Sequence, residues 1–117
     1  MRERIKDKDR LKHILDAMNV IIENKEKHSY EEIISDKIVL FGFVKHVEII
    51  GEAVYKLTKE FRGKHSEVDW DIIEGMRHVL VHDYYKIKPA QLWSTIENDI
   101  PQLKPLIEEL YNKEIDG

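Results

Sequence analysis

The 117-residue sequence predicts an all-α, single-domain helical bundle, and three observations carry that expectation. Apolar residues recur at spacings of three and four through most of the chain, the period of a helix buried along one face. No stretch alternates apolar and polar residues long enough to make a half-buried strand, and the only Asp-Gly pair is the terminal Asp116-Gly117. With 42% hydrophobic residues, a chain of this length buries roughly two-thirds of the surface its unfolded form exposes, enough for a core without a disulfide or metal staple. No internal repeat, low-complexity tract or long linker divides it, so one domain of five to six helices is expected over residues 1–117.

The first helix is read from Asp7 to about Lys27, with Leu11, Ile14, Leu15, Met18, Ile21 and Ile22 on one face and charges between them. Ser29 and Glu32 form a capping-box pattern for a short helix over 30–34, and Asp36 can cap the next. That next helix is the longest: Leu40, Phe43, Val47, Ile50, Val54, Leu57 and Phe61 alternate spacings of three and four, with Gly51 beside the seam. In a chain this short such a seam is read as packing on a neighbouring helix of the bundle rather than on a coiled-coil partner. Residues 62–67 contain no apolar side chain and include Gly63, which reads as a helix stop and a loop. Asp69 can cap a fourth helix over about 70–82, and Pro89 opens a fifth through Leu92, Trp93 and Ile96. A sixth follows Pro101 and carries Leu103, Leu106, Ile107, Leu110 and Tyr111, with Pro105 expected to kink it or delay its start.

Composition removes several function classes. The absence of Cys excludes thiolate metal sites and Cys nucleophiles, and fits a reducing compartment. No apolar run approaches the ~18 residues of a membrane span and the start is densely charged, so a cytoplasmic protein without membrane association is expected. Nineteen Lys and Arg against twenty-three Asp and Glu leave a net charge of −4, so nucleic acid would have to be bound by a local patch. The run Arg2, Arg4, Lys6, Lys8, Arg10, Lys12 is diluted by Glu3, Asp7 and Asp9 and reads as a solvated helix face. The five glycines are isolated, which excludes a phosphate-binding glycine loop, and no nucleophile-elbow sequence is present.

What remains is the stretch from Gly75 to Tyr85. His78 and His82 lie about 40° apart on a helix and could grip a metal ion, yet without a nearby carboxylate cluster two such histidines read as surface or interface residues. Arg77, His82 and Tyr84 suggest a different chemistry. A guanidinium grips phosphate in a fixed fork, and an imidazole titrates near neutrality and can move protons, a pairing suited to metal-free phosphodiester cleavage. On an unbroken helix Arg77 and His82 point about 140° apart, while Tyr84 returns to within about 20° of Arg77. The offset closes if the helix ends near His82 or if two subunits pool their residues. A salt-bridged Arg and a helix-closing His account for the same residues equally well.

The sequence resembles the HepT-like family of the HEPN superfamily, the toxin partners of minimal nucleotidyltransferase antitoxins. The resemblance runs through 9–17, the block Glu48-Ile49-Ile50-Gly51-Glu52-Ala53, Val68-Asp69-Trp70, Arg77 to Tyr84, Leu92-Trp93 and 98–103. Its central motif, an Arg, four residues, a His, one residue and a Tyr, is matched by Arg77, His82 and Tyr84; His78 stands where the family usually has Asn. The resemblance implies a HEPN-type dimeric bundle and a metal-independent endoribonuclease without cofactors. In it a 2′-hydroxyl of RNA attacks the adjacent phosphate at a dimer cleft, with Arg77 and His82 catalytic and His78 and Glu52 in support, Glu52 orienting Arg77. It further implies that the antitoxin attaches AMP to Tyr84. The alternative is a non-catalytic module whose cleft docks a nucleotidyltransferase or a nucleotide, which the negative net charge favours and the intact Arg, His and Tyr disfavour.

Overall fold

The computed structural model describes residues 6–76 and 88–116, and among them the chain is all-helical, as expected. Helix α1 spans Asp7–Lys27, α2 Tyr30–Ser35, α3 Lys37–Tyr55, α4 Lys59–Lys64 and α5 Trp70–Gly75. Helix α6, Pro89–Ser94, runs through a π-turn at Thr95–Asp99 into α7, Ile100–Asp116. None of these helices is long and apolar enough to cross a membrane.

The caps read from sequence are the caps that form. Glu32 N–H donates to Ser29 Oγ at 3.1 Å and Ser29 N–H donates to Glu32 Oε1 at 3.0 Å, completing the capping box of α2. Asp36 accepts from the amides of Ile38 and Val39 to start α3, Asp69 accepts from Ile72 N–H to start α5, and Pro89 sits in the first turn of α6. The Ser29 backbone N–H, and after it the Ser29 hydroxyl, hold the Glu32 carboxyl below its ordinary value. A depressed carboxylate contributes stability that is complete above its unfolded value and is lost as pH falls through the lower folded value. Glu32→Gln keeps an acceptor without titrating, so its denaturation midpoint should fall less than the parent's between neutral pH and about pH 2. Parallel losses in the two proteins would show that the box does not feel the charge.

The core is built from one face of each helix. Leu11, Ile14, Met18 and Ile21 of α1 are buried against Val44, Val47, Ile50 and Val54 of α3, and Ile96, Ile100, Ile107 and Leu110 close the other side of α1. Helix α1 thus lies between α3 and α7, while α2 and α5 pack on α3. Helices α1 and α3 run antiparallel, with Arg10 beside Glu52 and Lys56 at one end and His28 against Phe43 at the other. The seam packs within the bundle, as its length suggested.

Three boundaries differ from the expectation. The long helix does not reach Phe61: it ends at Tyr55, and Phe61 is buried from the separate α4. The cause is Thr58, whose N–H and hydroxyl donate to the Asp7 carboxylate at 2.9 and 2.7 Å while its Oγ accepts from Phe61 N–H. An N-cap residue takes non-helical dihedrals, so anchoring Thr58 to α1 breaks the helix there. The stop expected at 62–67 moves to His65, since Arg62, Gly63 and Lys64 are helical; Arg62 crosses to α5, with its guanidinium 2.8 Å from Glu74 and 3.1 Å from Asp71. The fifth and sixth helices are joined rather than separated at Pro101. Ile100 N–H reaches back to Thr95 O, and this wider turn absorbs the register defect of a proline that cannot donate. Helix α7 begins ahead of Pro105, so that proline does not delay its start, and Leu106 points partly to solvent.

Candidate functional site

Arg77, His78, His82 and Tyr84 lie outside the described residues, and with them the part of the fourth predicted helix beyond Met76. The structure does define what holds the two ends of that segment. On its N-terminal side α5 is pinned by buried Trp70, Ile73 and Met76, by the Trp70 indole N–H donating to His65 O at 2.9 Å, and by the Arg62 fork across to Glu74 and Asp71. A planar guanidinium bridging two carboxylates fixes orientation better than a single ion pair. On its C-terminal side Leu92 is buried and Trp93 packs edge-on against Tyr30 at 5.3 Å, with the Lys25 ammonium 5.6 Å from its ring centroid. The described residues on either side of 77–87 are therefore packed into the bundle.

Several of the blocks that carry the family resemblance turn out to build the core and the packing on either side of that segment. Val68 and Trp70 are buried and Asp69 caps α5; Leu11, Ile14, Leu15 and Ala17 form the inner face of α1. In the block 48–53, Ile50, Gly51 and Ala53 are buried while Glu48 and Glu52 turn toward a groove between α1 and α3. Glu52, the one expected site residue that is described, has a half-exposed side chain (46%) with Lys56 Nζ 3.9 Å from its Oε1. Its expected partner Arg77 is not among the described residues.

The groove follows the whole α1–α3 contact. It is apolar near His28, Val39 and Phe43, where it encloses about 190 Å³, continues past Val20, His46 and Ile49, and becomes polar at the far end. There Arg10, His13, Lys45, Glu48, Glu52 and Lys56 surround a depression of about 230 Å³. Arg10 corrects the reading of the N-terminal basic run as a wholly solvated face, since its Nε is buried. Neither Arg10 nor Glu48 was singled out as a site residue, although a signal existed: Lys45, Glu48, Glu52 and Lys56 repeat at spacings of three and four, a polar line beside the apolar seam. Among the described residues no group of three His, Asp or Glu could hold a metal ion.

Comparison with known proteins covers most of the chain. The family described as ribonuclease HepT-like matches residues 14–110. The chain is 42% identical over 104 residues to "Putative RNase TTE0752" of Caldanaerobacter subterraneus subsp. tengcongensis, covering 89% of this chain and 93% of that protein. It is 35% identical over 103 residues to "Probable ribonuclease HepT" of Thermococcus cleftensis, covering 88% and 94%. A protein of Methanocaldococcus jannaschii, "Putative RNase MJ1216", is 35% identical over 104 residues, covering 89% and 85%. No solved structure matches the chain.

Proposed function

The chain belongs to the HepT-like family of ribonucleases, and from that premise we propose that it is the toxin of a toxin–antitoxin pair, a metal-independent endoribonuclease acting as a homodimer in the cytoplasm. The observation that carries this reading is the family match over 14–110, which spans Arg77, His82 and Tyr84 in the motif order. In the proposed reaction the 2′-hydroxyl of RNA attacks the adjacent phosphorus, its proton passes to a base, and the departing 5′-oxygen takes a proton. The products are a 2′,3′-cyclic phosphate and a 5′-hydroxyl. Arg77 stabilises the charge that builds on the phosphoryl oxygens, His82 moves the protons, and His78 and Glu52 support them, Glu52 by orienting Arg77. Two copies facing each other across a cleft bring an Arg77 and a His82 to one phosphate despite their 140° offset on a continuous helix. Control comes from a nucleotidyltransferase antitoxin that attaches AMP to Tyr84, placing negative charge where the RNA backbone lies.

The test is cleavage of RNA by the purified protein with and without chelator. Cleavage should persist undiminished in EDTA and leave cyclic phosphate ends. Cleavage lost in EDTA and recovered with zinc or manganese would revive a metal site at His78 and His82. No cleavage under any condition, with stable binding to a nucleotidyltransferase, would favour the docking module instead.

A further inference from the structure

Among the described residues, Asp71 and Glu74 of α5 both form their ion pairs with Arg62 of α4. The guanidinium Nη1 lies 2.8 Å from Glu74 Oε1 and Nη2 lies 3.1 Å from Asp71 Oδ1. The two arms are unequal. The Asp71 side chain is 93% exposed, so water screens that contact, whereas the Arg62 and Glu74 side chains are 19% and 26% exposed and meet at close range. Holding α5 in place does not depend on this pair alone. Trp70, Ile73 and Met76 are buried along the helix, and the Trp70 indole N–H donates to His65 O, so apolar packing already fixes it.

The place of Glu74 in the chain gives the pair a second consequence. Glu74 stands three positions before Arg77, and three trans peptide steps keep the two Cα atoms within about 11 Å whatever path the backbone takes. Met76, the last described residue between them, still has helical dihedrals (φ −59°, ψ −27°), and on a helix an acid and a base three or four positions apart pair. A carboxylate and an RNA phosphate compete for the same guanidinium fork. The surrounding charge adds to the problem: residues 65–76 carry Glu67, Asp69, Asp71 and Glu74 and no Lys or Arg, an unfavourable approach for a polyanion. Arg62 supplies the missing cation from the neighbouring helix. We infer that Arg62 is a positioning residue for RNA cleavage: by engaging Glu74 it keeps that carboxylate off Arg77 and leaves the motif guanidinium open to phosphate. The effect on cleavage rests on the ribonuclease reading; the competition of Arg62 and Arg77 for Glu74 does not.

The experiment compares the full chain with Arg62→Met, Arg62→Lys and the double variant Arg62→Met with Glu74→Gln. Two quantities are read: kcat/KM for RNA cleavage, and the Arg77 Nε–Hε resonance of the 15N-labelled protein without RNA, assigned by its loss in Arg77→Lys. Arg62→Met should lower kcat/KM about tenfold, the weight of one charged hydrogen bond turned against the substrate, and displace the Arg77 resonance while helix content is unchanged. Adding Glu74→Gln removes the competing charge and should return both quantities toward the parent, although the ion pair between α4 and α5 is then gone altogether. Arg62→Lys keeps a cation beside Glu74 without the fork and should stay close to the parent. A purely structural Arg62 gives the opposite pattern, with the double variant as impaired as Arg62→Met or worse. That pattern, an Arg62→Lys variant as impaired as Arg62→Met, an Arg77 resonance unmoved by Arg62→Met, or loss of helix content in Arg62→Met would each overturn the proposal. A parent protein that cleaves no RNA sinks the ribonuclease reading by itself. The resonance then decides the role of Arg62: displacement in Arg62→Met with return in the double variant supports it, and no displacement overturns it.

Discussion

His82→Ala should abolish RNA cleavage, lowering the rate by ~10²–10⁴ while the denaturation midpoint moves little. The two effects separate because they rest on different physics. A histidine closing a helix contributes at most about 2 kcal/mol through the dipole, and less when exposed, whereas losing a proton-transfer group costs ~10²–10⁴ in rate. Arg77→Ala should behave alike, since no uncharged side chain can stabilise the phosphoryl oxygens as a guanidinium does. Mixing the two variants provides a sharper result. If one cleft draws on both subunits, a heterodimer of Arg77→Ala with His82→Ala retains an intact Arg77 on one copy and an intact His82 on the other, and partial cleavage returns on mixing. Single variants that cleave at the parent rate would reduce the pair to structural charge, and a mixture as inert as its components would show that each subunit works alone.

Local signals accounted for most of the fold. Ser29, Asp36 and Asp69 cap the helices they were expected to cap, because an N-cap is a contact within three residues and is therefore written in the local sequence. The break after Tyr55 was not legible, because its cause is a carboxylate fifty-one positions away: Asp7 captures Thr58, and a period of three and four continues across the interruption. The π-turn before Pro101 was hidden for a similar reason, since a proline announces a missing donor without saying whether the chain stops or widens its turn. The buried Nε of Arg10 lies in a run of alternating charges whose composition gives no hint of burial; only the packing of α1 on α3 separates it from its exposed neighbours Lys8 and Lys12. For the candidate site the position is reversed. Arg77, His82 and Tyr84 stand out as a motif in the sequence, while residue chemistry by itself left a phosphate-handling site and a salt-bridged arginine equally open.

On the proposed control by AMP transfer, Tyr84→Phe should leave RNA cleavage largely intact while making the protein insensitive to a nucleotidyltransferase partner. Seven positions separate Tyr84 from Arg77, a spacing that would bring both to one face, within about 20°, if a helix ran through them. In the proposed control, transfer of AMP from ATP to the Tyr84 hydroxyl, with release of pyrophosphate, would form a phosphodiester that such a helix would bring toward the Arg77 guanidinium. A charge-assisted, bidentate contact between that adduct and Arg77 would occupy the anion site the RNA phosphate needs, so inhibition is electrostatic and steric together. Phenylalanine keeps the ring and its packing and removes only the acceptor oxygen. Tyr85 is the internal control, adjacent in sequence but outside the motif. Mass spectrometry of the protein co-expressed with a nucleotidyltransferase partner should find added AMP on Tyr84 and none on Tyr85, and the loss of cleavage should track the modified fraction. An inactive, partner-treated protein with unmodified Tyr84, or a Tyr84→Phe variant still silenced by transfer of AMP, would show that control acts through another residue or through docking alone.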